Sequence, residues 1–286
     1  MNASDPFGQL DLHGMELDLH LLTRGDPRGI PVVFLHGISS YSRSFTPLLE
    51  LMPPQLYCLA LDIRGRGQSS WPRRGYRLDD YVGDLLNVLN ALIDNPVAPV
   101  LVGHSMGARI AAAFASRYSS LISGMVLIDP PVNGPGQRPR YPLPVTMYLE
   151  QKAAVEEGRM DDFRRFLPTF TEEKIQERAE EYRNVSQDAI IETYESLVKE
   201  PFQVYVKAAT CPILLLAAEH GDTIRDSELE VLKAINSRVQ AERVQGVGHM
   251  IYKDAPQKTA DYIVRFVAAH APARAAARLA THTATQ

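Results

Sequence analysis

A serine flanked at both second neighbours by glycine, Gly103-His104-Ser105-Met106-Gly107, stands between an apolar run, Ala98-Pro99-Val100-Leu101-Val102, and a small-residue run from Ala108 to Ser116. A strand, Gly-x-Ser-x-Gly and a helix in that order lift the serine hydroxyl clear of a sheet's C-terminal edge on a strained turn. Side chains at the two glycine positions would collide with the flanking strand and helix. The pentapeptide also occurs at ordinary strand-to-helix turns with an idle serine, so its meaning depends on what else the chain supplies. A serine hydroxyl attacks only when a base takes its proton. The usual base is a histidine held in one tautomer by a carboxylate.

Position singles out His249 among the eight histidines. It lies in Gly246-Val247-Gly248-His249-Met250, after the last strand-like run, where glycines on both sides of Val247 let the loop bend back over the serine turn. The carboxylate is open between two residues. Asp222 follows the run Ile213 to Ala217 through Glu219-His220-Gly221, and Asp129 ends the run Gly124 to Ile128. Each stands between serine and histidine in chain order and at a strand's end, as the constellation requires. Each is also a residue type that closes turns on backbone N–H groups. Glu219 is a weaker third candidate. An oxyanion would take the Met106 N–H and a second donor from the loop after Pro31 to Leu35, which reads His36-Gly37-Ile38. Gly37 permits the turn that aims the Ile38 N–H into the site. His36 and His104 are expected to order these loops.

Short apolar runs alternate with helical ones, as in a mostly parallel sheet covered on both faces. Glu16 to Leu22 alternates like an edge strand, whereas Pro31 to Leu35 and Leu56 to Leu61 are continuously apolar like buried strands. Leu78 to Ile93 has helical spacing, with Asp79 and Asp80 in its first turn. Val132 to Pro144 reads as loop, and Pro144 to about Val206 as charged helices with no strand, an insertion suited to a lid. Strands resume at Cys211 to Ala217 and Ala241 to Val244, with helices from about Ser227 to Ile235 and Pro256 to Ala269. The expected division is core 1–131, lid 132–208, core 209–270 and tail 271–286, the tail extending the last helix or disordered. Asp62-Ile63-Arg64-Gly65-Arg66-Gly67-Gln68-Ser69 lacks the Lys-Ser/Thr of a phosphate loop and is expected to be a hydrogen-bonded surface loop.

With 286 residues, 45% hydrophobic and 22% charged, the chain is an ordinary globular one, long enough for one large α/β domain or two small ones. A net charge of −4 gives no reason to expect nucleic acid or an anionic membrane as partner. Cys58 and Cys211 lie in apolar runs, as buried thiols of a reducing compartment do. No signal peptide is visible in Met1 to Gly14, and no apolar run nears the roughly 18 residues of a membrane span. A cytoplasmic protein is the expectation. No His or Asp spacing matches a metal site.

Phe34-Leu35-His36-Gly37, the Asp62 to Gly67 segment, Gly103 to Gly107 and Gly248-His249 together resemble the α/β-hydrolase superfamily over about residues 15 to 270. The resemblance implies an eight-stranded, mostly parallel sheet with a helical cap inserted after strand six. Gly103 to Arg109, Val126-Leu127-Ile128-Asp129-Pro130-Pro131-Val132-Asn133-Gly134-Pro135-Gly136 and Gly248-His249-Met250-Ile251 further resemble the N-formylmaleamate deformylases of aerobic nicotinate degradation. That family implies an acid at Asp129, while most of the superfamily implies one at Asp222. Superfamily frequency tips the expectation slightly to Asp222. The implied reaction is deformylation through a formyl-serine on Ser105, with His249 as base, Ile38 and Met106 as oxyanion donors, and no metal or organic cofactor. A carboxylated substrate needs a cation or several N–H donors, and Arg43, Arg109, Arg138 and Arg140 are the candidate cations. Tyr141, Tyr148, Phe163, Phe166, Tyr182 and Tyr194 are candidate pocket aromatics. A small-ester carboxylesterase, a C–C hydrolase of ring-cleavage products and a non-enzymatic binding protein on the same fold are the alternatives.

Overall fold

The computed structural model describes residues 6–14, 17–92, 94–133, 138 and 143–271. Arg140, Tyr141, Ile93 and the tail from 272 onward lie outside the described residues. One eight-stranded sheet runs through the chain in the order β1-β2-β4-β3-β5-β6-β7-β8. The strands are β1 Gly8–His13, β2 Asp18–Arg24, β3 Ile30–Leu35, β4 Leu56–Leu61, β5 Val100–His104, β6 Gly124–Ile128, β7 Ile213–Ala218 and β8 Val239–Val244. β2 is antiparallel to β1 and β4, and every pairing from β4 to β8 is parallel.

The central strands are apolar on both faces because both faces are covered. Alternate residues divide cleanly. Val33, Leu35, Leu101, Leu127 and Leu215 face one layer with α2 (Leu78–Ala91) and α3 (Met106–Tyr118). Val32, Phe34, Val102, Val126 and Leu216 face the other, with α1 (Thr46–Leu49), α10 (Ile251–Asp254) and α11 (Pro256–His270). The run expected as an edge strand is β2, which lies inside the sheet. Gly8–His13, in which Leu10 and Leu12 alternate as an edge strand's residues should, takes the edge instead by pairing with β2. Between β6 and β7 come α4 (Val145–Glu156), α5 (Met160–Arg165), α6 (Glu172–Arg183), α7 (Gln187–Lys199) and α8 (Phe202–Ala208). The Thr171 and Ser186 side chains cap α6 and α7 by accepting the Lys174 and Ala189 N–H groups. α9 (Asp226–Ile235) joins β7 to β8. No helix among the described residues is long and apolar enough to cross a membrane.

Candidate active site

β5 ends at His104 and α3 begins at Met106, leaving Ser105 alone in the turn at φ 52° and ψ −112°. Two glycines make this turn possible. A Cβ at Gly107 would lie 2.0 Å from the Leu35 carbonyl oxygen, and one at Gly103 would lie 2.4 Å from the Gly107 oxygen. Both obstacles are backbone and cannot rotate away. The Ser105 N–H continues the sheet ladder to the Ile128 carbonyl at 2.9 Å, so strand pairing holds the strained residue in place.

The next strand ends in a second left-handed residue, Asp129, at φ 45°. Its N–H bonds the Leu216 carbonyl at 2.7 Å. Its carboxylate is buried and has two partners. Oδ1 accepts the Ala218 N–H at 3.0 Å, and Oδ2 meets His249 Nδ1 at 2.7 Å. A carboxylate only accepts, so Nδ1 carries the imidazole proton and Nε2 presents its lone pair. Thr223 Oγ1 lies 3.3 Å from the same Nδ1. His104 Nε2–H donates to the His249 carbonyl at 3.0 Å, and the two rings lie 4.6 Å apart. The residue before the serine thus fixes the loop that carries His249. Burial, followed by the neighbouring His249, holds the His104 pKa well below the ordinary histidine value.

Asp222, the slightly favoured acid, does not reach His249. Its side chain is 65% exposed and is held by Arg225 at 2.8 and 2.9 Å and by Arg138 at 2.9 Å. The hydrogen bond from Arg225 keeps its carboxyl below the usual range. The cause is the path of the chain after β7. Glu219 N–H bonds the Val244 carbonyl and His220 N–H bonds the Val247 carbonyl, so the segment follows β8 and its loop out to the surface. Glu219 itself accepts the Gly246 N–H at 2.7 Å and braces the base of the His249 loop.

The loop after β3 is tied at each peptide. The Ile63 N–H donates to His36 Nε2 at 3.1 Å, which places the ring proton on Nδ1, and Nδ1–H donates to the Gly37 carbonyl at 2.8 Å. Burial pushes the His36 pKa down to about 3, the bond to Gly37 opposing only part of it. In a trans peptide the N–H points opposite to the C=O, so anchoring the Gly37 carbonyl fixes the Ile38 N–H on the other side. A Cβ at Gly37 would sit 3.1 Å from His104 Nδ1 and 3.6 Å from the Ser105 Cβ, so glycine here lets the loop nest against the serine turn. The Asp62 to Ser69 segment, expected at the surface, is largely buried. Asp62 accepts the Ser42 and Gln68 N–H groups at 2.7 and 2.9 Å, and the Arg66 side chain is fully enclosed. Charged residues read as surface in a sequence; here long-range polar partners take them inside.

A cavity of about 690 Å³ opens beside His249 under the inserted helices, lined by Tyr148, Phe166, Arg178, Tyr182 and Lys253 among others. Among the described residues its cations are Lys174, Arg178 and Lys253, none of which was expected there. Arg109 is buried away from the cavity lining, donating to the Pro131 and Leu197 carbonyls at 3.1 Å and to Asn133 Oδ1 at 2.6 Å. It ties the segment after Asp129 to α7. Arg138 is engaged by Glu228 and Asp222, and Arg43 lines a separate cleft of about 260 Å³. Arg178 and Lys253 were missed, because α6 is charged on several faces and no spacing marks one of its arginines. They share Glu181, at 2.5 and 2.9 Å. Burial alone would raise the Glu181 carboxyl, but Arg178 and Lys253 hold it below the usual range. Arg178 also donates to the Ser39 carbonyl at 3.1 Å and to Ser39 Oγ at 2.6 Å, joining the cavity wall to the loop after β3. Of the aromatics, Phe163 packs edge-on against Tyr182 at 5.8 Å and Tyr194 packs on the core.

Residues 30–256 match the sequence profile of the alpha/beta hydrolase fold. The chain belongs to the α/β-hydrolase fold family. It is 31% identical over 235 residues, 81% of this chain and 86% of the relative, to an N-formylmaleamate deformylase of Pseudomonas putida. A 2-(acetamidomethylene)succinate hydrolase of Mesorhizobium japonicum is 25% identical over 281 residues, covering 93% of this chain and 97% of that one. Among solved structures, the N-formylmaleamic acid deformylase of Pseudomonas putida S16 superposes with a TM-score of 0.79 at 27% identity, covering 89% of this chain and all of that one. The chain is therefore an α/β-hydrolase enzyme with deformylase-like relatives.

Proposed function

We propose that this α/β-hydrolase cleaves the C–N bond of a small carboxylated amide through a serine nucleophile, with N-formylmaleamate as substrate. The observation that carries the reading is the 2.7 Å contact from His249 Nδ1 to Asp129. It pairs the base with the aspartate that the resemblance to the deformylases implies, at the strand end beside Ser105. The similarity to relatives that hydrolyse N-formyl and acetamido substrates supports the choice of bond.

Ser105 Oγ attacks the formyl carbon while His249 Nε2 takes its proton. The Ile38 and Met106 N–H groups receive the negative oxygen. The tetrahedral adduct collapses, the C–N bond breaks, and the imidazolium returns the proton to the departing nitrogen, releasing maleamate. Water, deprotonated by the same Nε2, then attacks the formyl-serine and releases formate. Asp129 keeps the proton on Nδ1 and balances the transient imidazolium. Arg178 and Lys253, which share Glu181, are the donors in the cavity wall that meet the substrate carboxylate, and Tyr148 and Phe166 keep water out of the cavity.

The test is formate release from N-formylmaleamate, run beside p-nitrophenyl acetate and a dienol acid. Formate release with little turnover of the other two supports the reading. Ester hydrolysis without formate release would assign a carboxylesterase, and dienol cleavage a C–C hydrolase. Absence of fluorophosphonate labelling at Ser105 would remove the serine mechanism altogether.

A further inference from the structure

Arg66 is fully enclosed, and each of its hydrogen-bond partners is neutral. No carboxylate pairs with it among the described residues. A buried, unpaired guanidinium is costly to keep, and a well-packed apolar side chain often serves stability better. Its contacts suggest what it is kept for. Nε and Nη2 donate to the Ile38 carbonyl at 3.3 and 3.2 Å, and Nη2 reaches Met106 Sδ at 3.8 Å. These are the two residues whose N–H groups form the oxyanion hole in the reading above. Nη2 also reaches the Ala189 carbonyl at 3.4 Å and Thr193 Oγ1 at 3.2 Å, both on α7 of the inserted helices.

The backbone beside Arg66 is fastened to the same insertion. Gly67 N–H donates to the Asn184 carbonyl at 2.9 Å, and Ser186 N–H donates to the Gly65 carbonyl at 2.8 Å. Gly65 is glycine because a Cβ there would come 2.7 Å from the Ala189 Cβ. One side chain therefore spans from α7 to both oxyanion donors. His36 holds the peptide before Ile38, and Arg66 holds the one after it.

We propose that Arg66 is a positioning residue through which the seating of α7 sets the geometry of the oxyanion hole, an inference that rests on Ser105 acting as nucleophile. With α7 seated, Thr193 and the Ala189 carbonyl orient the guanidinium, which fixes Ile38 and Met106. With α7 displaced, the guanidinium loses those acceptors and the hole loosens. The hydrolytic machinery is thereby strongest when α7 is seated.

The experiment measures the fluorophosphonate labelling rate of Ser105 and inhibition by phenylboronic acid, whose serine adduct is a tetrahedral anion, in Arg66→Met, Arg66→Lys and Thr193→Val. Loss of an oriented donor costs about 100-fold, which is the fall in labelling expected for Arg66→Met. Arg66→Lys keeps the charge without the fork and is expected to recover to within about tenfold of the parent. Thr193→Val, which conserves shape, is expected to cost about tenfold, the low end for one hydrogen bond to a charged group. Boronate affinity should fall in the same order. Melting curves identify folded variants, so Arg66→Lys and Thr193→Val decide the matter should Arg66→Met fail to fold. Labelling and boronate affinity within twofold of the parent in the folded variants would overturn the coupling while leaving the serine reading intact. A parent protein that does not label overturns both.

Discussion

The sharpest test replaces the acid by its amide. In Asp129→Asn the side chain keeps its size, and the surrounding bonds dictate how the amide sits. The Ala218 N–H at 3.0 Å requires an acceptor at the Oδ1 position, so the carbonyl oxygen stays there and the NH₂ turns to His249 Nδ1 at the former 2.7 Å contact. An NH₂ group donates, so Nδ1 must accept and the imidazole proton moves to Nε2. The base then presents a proton to the serine where it needs a lone pair. Inversion of a tautomer in this way costs about 10⁴ in kcat, or about 5 kcal/mol of transition-state stabilisation. Asp222→Asn removes an exposed partner of Arg225 and Arg138 and should leave kcat within about twofold, as surface pairs of this kind contribute little. Formate release under saturating N-formylmaleamate, with melting curves for both variants, makes the comparison. A loss of more than about 100-fold in Asp222→Asn beside an active Asp129→Asn would refute the reasoning, and equal small losses would remove both aspartates from the mechanism.

Gly107→Ala places a methyl 2.0 Å from the Leu35 carbonyl oxygen, so denaturant titration should show a loss of about 3 kcal/mol or more, or no soluble protein. Lys253→Met removes one charge-assisted contact from the cavity and should raise KM for N-formylmaleamate about tenfold or more with a smaller change in kcat; an unchanged KM would remove Lys253 from carboxylate recognition. His36 is held neutral, with its pKa moved from 6.5 to about 3, so the unfolded chain binds the extra proton within that window. Stability is then full above about pH 6.5 and falls as the pH drops towards 3; His104, held down by burial and by His249, adds to the same slope. Urea titrations between pH 7 and 5 should show this decline, and a flat profile would contradict the neutral pair.

The turn that carries Ser105, the loop that carries His249 and the parallel core were legible because each depends on local pattern. Glycines bracket Ser105, Gly248 precedes His249, and the buried strands are continuous apolar runs. Which aspartate meets His249 was not legible because Asp129 and Asp222 both follow strands that neighbour one another, and only the direction of the chain beyond the strand separates them. That direction is set by the pairing of Glu219 and His220 with Val244 and Val247, residues far along the chain. The same limit hid Arg66. Its acceptors come from residues 38, 64, 81, 106, 189 and 193, and no short window contains them. β1 was legible in the alternation of Leu10 and Leu12 but is brief and otherwise polar.

Ser105 and Asp129, the proposed nucleophile and the proposed orienting acid, share a backbone property. Ser105 and Asp129 are the non-glycine residues with positive φ among the described residues, at 52° and 45°. Such conformations cost about 1–3 kcal/mol each and persist only where the surroundings fix them. Each stands immediately past the end of a parallel strand, and each donates its N–H to the next strand, to Ile128 and Leu216 respectively. The sheet ladder thus extends one residue beyond regular strand geometry at two successive strands. The register Gly103 to Leu127 and His104 to Ile128 brings these two residues side by side, and Asp129 then reaches His249 across β7. A relaxed aspartate at this position would continue the strand, whose side chains alternate between the two faces. The left-handed turn redirects the carboxylate along the sheet's edge, with Oδ1 on the Ala218 N–H and Oδ2 on the imidazole. Strain at Asp129 is therefore an argument for its role that Asp222, exposed and matched by two arginines, lacks.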